Sequence, residues 1–268
     1  YNRVPQVAFI IGNFSRNVIN GDAGATPEER DMLRSIFGKE SPEGPVPKYI
    51  ETKMAGSLRA GADMAVSIFT VHYFFENKKT IHAFIRNLTE CTKLDGHFIG
   101  TCYDGMTVFN MLKSKEQGES MPIIKDGRKI YEITKMYNKT GFPDDEMGLG
   151  YNINIYQESI NKTFVEYLVN FDFFTREMEN YGFVVISNEE ASHMNLPSGT
   201  GMFSDLFKQM EDNVAQNPRM KNDVGQALYM TPEEKRISFM NRYFVFKKVR
   251  NVNMTSTTFR QRWIIYFR

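Results

Sequence analysis

Asp63-Met64-Ala65-Val66-Ser67-Ile68-Phe69-Thr70-Val71-His72-Tyr73-Phe74-Phe75-Glu76, with the segment that runs on to Thr101, decides the fold. Met64 to Phe69 is a short apolar run of the kind that forms a strand buried on both faces. Asn77 stands at the N-cap of a helix whose Ile81, Phe84, Ile85 and Leu88 repeat at the spacing of one apolar face. Gly96 closes that unit, and His97-Phe98-Ile99-Gly100-Thr101 reads as the next strand. Strand, helix and strand without a tight hairpin predict parallel neighbours joined by a right-handed crossover.

Working outward, Val7-Ala8-Phe9-Ile10-Ile11 before Gly12 predicts a further buried strand. Thr26-Pro27-Glu28-Glu29 is a capping box with proline at the first helical position, so a helix should run to about Phe37 and stop at Gly38. A Gly/Pro-rich loop spans Lys39 to Pro47. Beyond the central unit the pattern changes. Lys129 to Met136 and Tyr151 to Gln157 read as strands, and the second alternates Tyr151, Ile153 and Ile155 with Asn152, Asn154 and Gln157. Alternation means one wet face, so an antiparallel insertion is expected at about 120–170. The α/β pattern then returns, with a helix from Phe173 to Tyr181 stopped by Gly182 and a strand Phe183 to Ile186. A second capping box, Thr231-Pro232-Glu233-Glu234, opens a helix to about Met240 before a last strand, Tyr243 to Phe246. The expectation is one α/β domain over 1–250 and a basic tail over 251–268.

Composition narrows the chemistry. With 268 residues, 41% hydrophobic and 24% charged, the chain can bury a sizeable core and is neither disordered nor a coiled coil. Its longest apolar runs, about five residues, fall far short of the roughly 20 that a membrane helix needs. Two cysteines, Cys91 and Cys102, exclude a disulfide framework and a four-cysteine zinc site. The formal charge of +1 hides an asymmetry: Lys235 to Arg268 holds nine basic and no acidic residues. That is either a solvated segment or a contact for a polyanion.

No P-loop, GxGxxG or GxSxG motif occurs, and His72 has no partner at metal-ligand spacing, so no metal site is expected. Ligands of an open parallel sheet bind beyond the carboxyl ends of its strands. Three loops leave such ends: Gly12 to Ser15, Val71 to Phe75 and Thr101 to Gly105. Taken singly, the residues there are ambiguous. His72 is more often a satisfied polar group, Glu166 a solvated acid beside Lys162, and Tyr243 a core residue.

The ordered motifs carry more. The strand ending in His72-Tyr73-Phe74-Phe75-Glu76, the helix, and Gly96-His97-Phe98-Ile99-Gly100-Thr101 resemble the mRNA cap guanine-N7 methyltransferases. Gly100-Thr101-Cys102-Tyr103-Asp104-Gly105 and the segment Gly12 to Ala23 are most similar to the capping enzymes of large cytoplasmic DNA viruses, the African swine fever virus and poxvirus group. The similarity runs from about Val7 to Val249. It implies a class I, Rossmann-like methyltransferase fold and S-adenosylmethionine as donor. It further implies methyl transfer to guanine N7 of a GpppN cap by a module of a viral multifunctional capping enzyme.

Residue by residue, the resemblance makes His72, Tyr73, Glu166 and Tyr243 cap-guanine residues, with Glu166 accepting from guanine N1–H and the 2-amino group. It makes Asn13, Phe69 and Tyr73 donor-binding residues. Asn13 stands where many members have Asp, and an amide oxygen accepts from the adenine amino group less strongly than a carboxylate. Guanine N7 is already a nucleophile and the donor is a sulfonium, so positioning replaces a general base and no catalytic residue is expected. The implied partners are the capped mRNA 5′ end, upstream triphosphatase and guanylyltransferase modules, and a regulatory subunit, and the implied location is the host cytoplasm, at the viral factory and in the virion.

Two departures from the family pattern set expectations of their own. Tyr1-Asn2-Arg3 opens without Met, and the family's Asp-x-Gly-x-Gly donor loop lies upstream of anything like Val7. The first βαβ unit is therefore expected to precede Tyr1. If it were absent altogether, the rival reading is a non-catalytic methyltransferase-like module that binds capped RNA or a partner protein.

Overall fold

The structure, a computed structural model, describes residues 6–252; the remaining 16 residues of the basic tail lie outside the described residues. Helix α1 (Pro27–Phe37) starts at the expected capping box, in which Thr26 accepts the Glu29 N–H, and ends at left-handed Gly38. A short α2 (Lys48–Lys53) leads into β1 (Ala62–Ile68), a 3-10 turn (Val71–Glu76), α3 (Lys78–Cys91) and β2 (Thr92–Tyr103). Asn77 caps α3 as its spacing predicts, and Ile81, Phe84, Ile85 and Leu88 are all buried. Then come α4 (Gly105–Met111), β3 (Ser120–Lys125), β4 (Arg128–Lys135), β5 (Asn152–Gln157), β6 (Lys162–Tyr167), α5 (Phe171–Asn180), β7 (Phe183–Val185) and α6 (Asn188–His193). The described chain closes with β8 (Thr200–Met202), α7 (Phe203–Gln216), α8 (Lys221–Val224), α9 (Pro232–Ser238) and β9 (Asn241–Lys248).

Two sheets result. The larger runs β1-β2-β9-β7, with β8 also on β9; the smaller is an antiparallel meander β3-β4-β5-β6. One face of the larger sheet carries Phe98, Cys102, Phe244 and Phe246, packed against Ile81 and Ile85 of α3 and Phe174 of α5. Only Gly fits at position 100 there, because a Cβ would meet the Phe244 ring at 2.3 Å and the Ser67 carbonyl at 2.6 Å. The smaller sheet turns Ile123, Tyr131, Ile133, Ile153 and Ile155 onto Val108 and Phe109 of α4. No described helix is long and apolar enough to cross a membrane.

Four expectations change. Val7 to Ile11 is not a strand: Phe9 and Ile11 are exposed. The backbone of Ile11 bonds instead to Ala25 and to the Glu29 carboxylate, and an apolar run without a strand partner has no ladder to join. β1 is not buried on both faces. It pairs only with β2 among the described residues and leaves Met64, Val66 and Ile68 exposed.

Gly96 does not end the helical unit but lies inside β2. The register slips from Ala62↔Thr92 to Met64↔His97, and Asp95 at φ 62° turns the extra residues out as a bulge. Finally, the parallel pairing is confined to β1 and β2; β9 runs antiparallel to β2, β7 and β8.

Candidate functional site

The loop after β1 builds half of the site. Phe69 takes the left-handed conformation (φ 52°), and its N–H is held by the Thr101 carbonyl at 3.0 Å and the Thr101 hydroxyl at 3.2 Å. A non-glycine residue in that region costs on the order of 1 kcal/mol and persists only where its surroundings fix it. Its ring stays half exposed, edge-on to Phe203 at 6.1 Å. The 3-10 turn that follows buries Val71, His72 and Phe75 and turns Tyr73 outward, 45% exposed. The His72 and Tyr73 rings meet edge to face at 4.2 Å.

The smaller sheet supplies the other half. Glu166 on β6 lies directly opposite Ile153 on β5 and therefore shares the apolar face of that sheet. It is 8% exposed, so the solvated acid suggested by neighbouring Lys162 is not what the chain builds. Its Oε2 stands 3.6 Å from Nε2 of His72, beyond hydrogen-bonding distance. Among the described residues, both ring nitrogens of His72 and Oε2 of Glu166 are buried with no hydrogen-bond partner. Each such group costs roughly 1–3 kcal/mol when left unpaired, so three in one place make this the candidate site.

Burial sets the charges. It pushes the Glu166 carboxyl up to about 7 and the His72 imidazole down to about 4. The close approach has the geometry of an ion pair, yet at 3.6 Å without a hydrogen bond there is little to offset two desolvations. At pH 7 the imidazole is therefore neutral and the acid about half ionised, and a ligand offering two N–H donors to Glu166 would draw it fully into the charged form.

Tyr243 and Asn13 already have hydrogen-bond partners within the chain. Tyr243 is buried on β9 opposite Thr101 and Gly201; its hydroxyl donates to the Ser198 carbonyl at 3.1 Å, which leaves little of the ring to offer a base. Asn13 is exposed, and its Oδ1 accepts the Ser15 N–H at 2.9 Å inside its own loop. Three other residues at the seam were not singled out from the sequence. Tyr103, the last residue of β2, is hydrogen-bonded through its hydroxyl to that of Tyr131 on β4. Asn241 pairs with Tyr103 across the ladder and keeps a buried, unpartnered Oδ1. The signal for Tyr103 was legible, since it sits in one of the three loops at strand ends.

Comparison with known proteins fits this arrangement. A family model described as the mRNA (guanine-N(7))-methyltransferase domain matches residues 47–249. A "Probable mRNA-capping enzyme" of Acanthamoeba polyphaga mimivirus is 24% identical over 221 residues, 70% of this chain and 17% of that protein. An mRNA cap guanine-N(7) methyltransferase of Aspergillus fumigatus is 25% identical over 248 residues, 82% of this chain and 35% of that protein. The chain thus spans about a third or less of the length of these relatives. A S-adenosylmethionine-dependent methyltransferase from Clostridium acetobutylicum ATCC 824 superposes with a TM-score of 0.32 at 10% identity, over 47% of this chain and 49% of that one, a likeness too distant to bear on the fold. From the extent of the family match, the chain belongs to the mRNA (guanine-N(7))-methyltransferase family and has its class I, Rossmann-like α/β fold.

Proposed function

We propose that this chain transfers a methyl group from S-adenosylmethionine to guanine N7 of a GpppN mRNA cap. The observation that carries the reading is the buried Glu166 carboxylate facing neutral His72 with no donor of its own. The Watson–Crick edge of guanine presents N1–H and the 2-amino group side by side, and one carboxylate can accept both. Adenine has no such pair of donors and would leave the acid unpaired, so the same contact selects guanine. His72 and Tyr73 form an aromatic wall against which a base can lie. A negative charge at the guanine edge also favours the cationic 7-methylguanine product.

The residues present fit the donor in part. Phe69 and Tyr73 keep exposed aromatic faces beyond the carboxyl end of β1, and such faces suit both an adenine ring and a sulfonium cation. Asn13 is the candidate for the adenine amino group, and Tyr243 on β9 is the candidate to pack near the guanine. When bound, the donor supplies an electrophilic methyl group, and the chain's own work is to hold the base, orient N7 and exclude water.

The unpaired edge of β1, with Met64, Val66 and Ile68 exposed, supports a sheet that continues beyond β1 into a donor-binding βαβ unit preceding these residues. The match to a mimivirus capping enzyme supports a module of a multifunctional viral enzyme that acts on capped mRNA in the host cytoplasm, alongside triphosphatase and guanylyltransferase modules. The test is transfer of labelled methyl to GpppN-capped RNA and to 5′-triphosphate RNA of the same sequence. Capped RNA alone should be labelled, with S-adenosylhomocysteine as by-product; equal labelling of both would end the cap reading.

A further inference from the structure

The site has its two halves on different sheets. His72 and Tyr73 follow β1 of the larger sheet, whereas Glu166 belongs to β6 of the smaller one. Their distance therefore depends on how one sheet is fastened to the other. The Gly150 N–H, just before β5, donates to the Phe75 carbonyl of the turn at 3.0 Å, and the peripheral ties are partly exposed ion pairs: Lys125 of β3 reaches Glu234 of α9, and Lys78 reaches Glu146. Exposed pairs of this kind hold little, typically under 1 kcal/mol.

Beside the site the fastening is different. The hydroxyls of Tyr103, at the carboxyl end of β2, and Tyr131, on β4, are hydrogen-bonded to one another. Tyr131 is 2% exposed and belongs to the apolar core of the smaller sheet. Burial raises both phenols above their ordinary range, and in both the Glu166 charge adds to the effect, as it does for Tyr73. The groups that face Glu166 are thus His72 and Tyr73 from the turn after β1, Tyr103 from β2 and Tyr131 from β4.

We propose that Tyr131 is a positioning residue, whose hydroxyl, bonded to that of Tyr103, latches the smaller sheet to the end of β2 and so sets Glu166 against His72 and Tyr73. The inference rests on the cap-methylation reading for its consequence, and on the structure alone for the latch. A phenol is suited to this task. It reaches far on two torsions, fills the core with its ring and ends in one directional group, so the fastening is rigid and selective in register.

The test is Tyr131→Phe, Tyr103→Phe and the double variant in the complete protein. Each keeps the ring and removes one hydroxyl, so folding should survive, and near-unchanged melting temperatures will show it. In methyl transfer, each single variant should raise KM for capped RNA about 3–10-fold while KM for S-adenosylmethionine stays within about twofold. The double variant should be no worse than the worse single one, because both substitutions remove the same bond. Equal rises for both substrates, additive losses, or an unchanged cap KM in Tyr131→Phe would each overturn the latch.

A readout independent of activity separates the latch from the function. Carboxyl titration of Glu166 by carbon NMR, assigned with Glu166→Gln, should fall back toward the ordinary carboxylate range in Tyr131→Phe, as water enters the opened seam. An unmoved titration would overturn the latch even in an active enzyme. A fallen titration in a protein that methylates no capped RNA would uphold the latch and discard the function.

Discussion

The two sheets bury different chemistry. The larger is packed mainly on phenylalanine: Phe75, Phe98, Phe174, Phe244 and Phe246 fill its core, and its one buried tyrosine, Tyr181, has its hydroxyl bonded to His82. The smaller is packed on isoleucine, but Tyr131, Tyr137 and Tyr151 share its core and Glu166 lies on the same face. One core excludes water and holds a hydroxyl that already has a partner. The other excludes water while holding hydroxyls and an acid, and it does so at the seam where the sheets meet. The contrast separates scaffold from candidate site: a core whose polar atoms are paired is replaceable by any core that packs as well, whereas a buried acid without a partner costs stability and calls for a ligand.

The contrast can be broken at either side. Phe98→Ala, in the larger core, should cost about 3–5 kcal/mol of stability by denaturant unfolding, through lost burial and a cavity. If it costs under 1 kcal/mol while changing activity, the scaffold side of the comparison is wrong.

Glu166→Ala should lose roughly 2–4 kcal/mol of transition-state stabilisation, about 30- to 1,000-fold in kcat/KM with capped RNA. Glu158→Ala should do little, since that acid is partly exposed, lies outside the buried face and only approaches Arg128 at 3.6 Å. The reverse ranking would move the acid of the site elsewhere.

The third test sharpens the cost of the site. The Glu166 carboxyl titrates near 7 in the folded chain and at 4.5 as its ordinary value. Below pH 4.5 both states are protonated and nothing is lost; as pH rises from 4.5 to about 7, the unfolded chain releases its proton first and stability falls. Glu166→Gln should therefore unfold like the parent at pH 4 and be more stable by roughly 1–3 kcal/mol at pH 8, while being nearly inactive. In the parent, kcat/KM for capped RNA should rise through about pH 7 as the acid ionises, and in the variant that rise should vanish.

The smallest expected effect is at α9, which borders the smaller sheet. Thr231 accepts the Glu234 N–H as its N-cap, and Thr231→Ala should cost about 1 kcal/mol without touching catalysis.

Much of the fold was legible because it rests on local rules. The capping boxes at Thr26 and Thr231, the stop at Gly38 and the face of Ile81, Phe84, Ile85 and Leu88 are decided by residues within a turn or two of each other. Where sequence reading failed, the deciding partner was distant. Val7 to Ile11 has strand composition but no strand to join, and β1 has strand composition but a neighbour on one side only among the described residues. The bulge that absorbs Gly96 follows from register between two strands, which no single segment contains.

The site divides in the same way. His72, Tyr73 and Glu166 were singled out through family likeness, and the structure shows why residue type alone left them ambiguous: His72 and Glu166 stand out by burial without partners, and Tyr73 by an exposed ring against His72. Tyr103 and Tyr131 are 28 residues apart and meet only when two sheets are assembled. Tyr243 lies on the expected last strand, where its hydroxyl is bonded to the Ser198 carbonyl.

The place of β9 has a consequence for the order of folding. It is the last described strand, yet it lies between β2 and β7 and also carries β8, and buried Lys248 at its end donates to the carbonyls of Thr89 and Thr92. The smaller sheet is a meander of sequence neighbours with low contact order and can form as soon as its own residues leave the ribosome. The larger sheet cannot close until residues 241–248 arrive to fill its middle. During synthesis the acid of the candidate site is thus in place before the larger sheet closes, and the interval leaves the flanks of β2 and β7 open to any other strand that reaches them first.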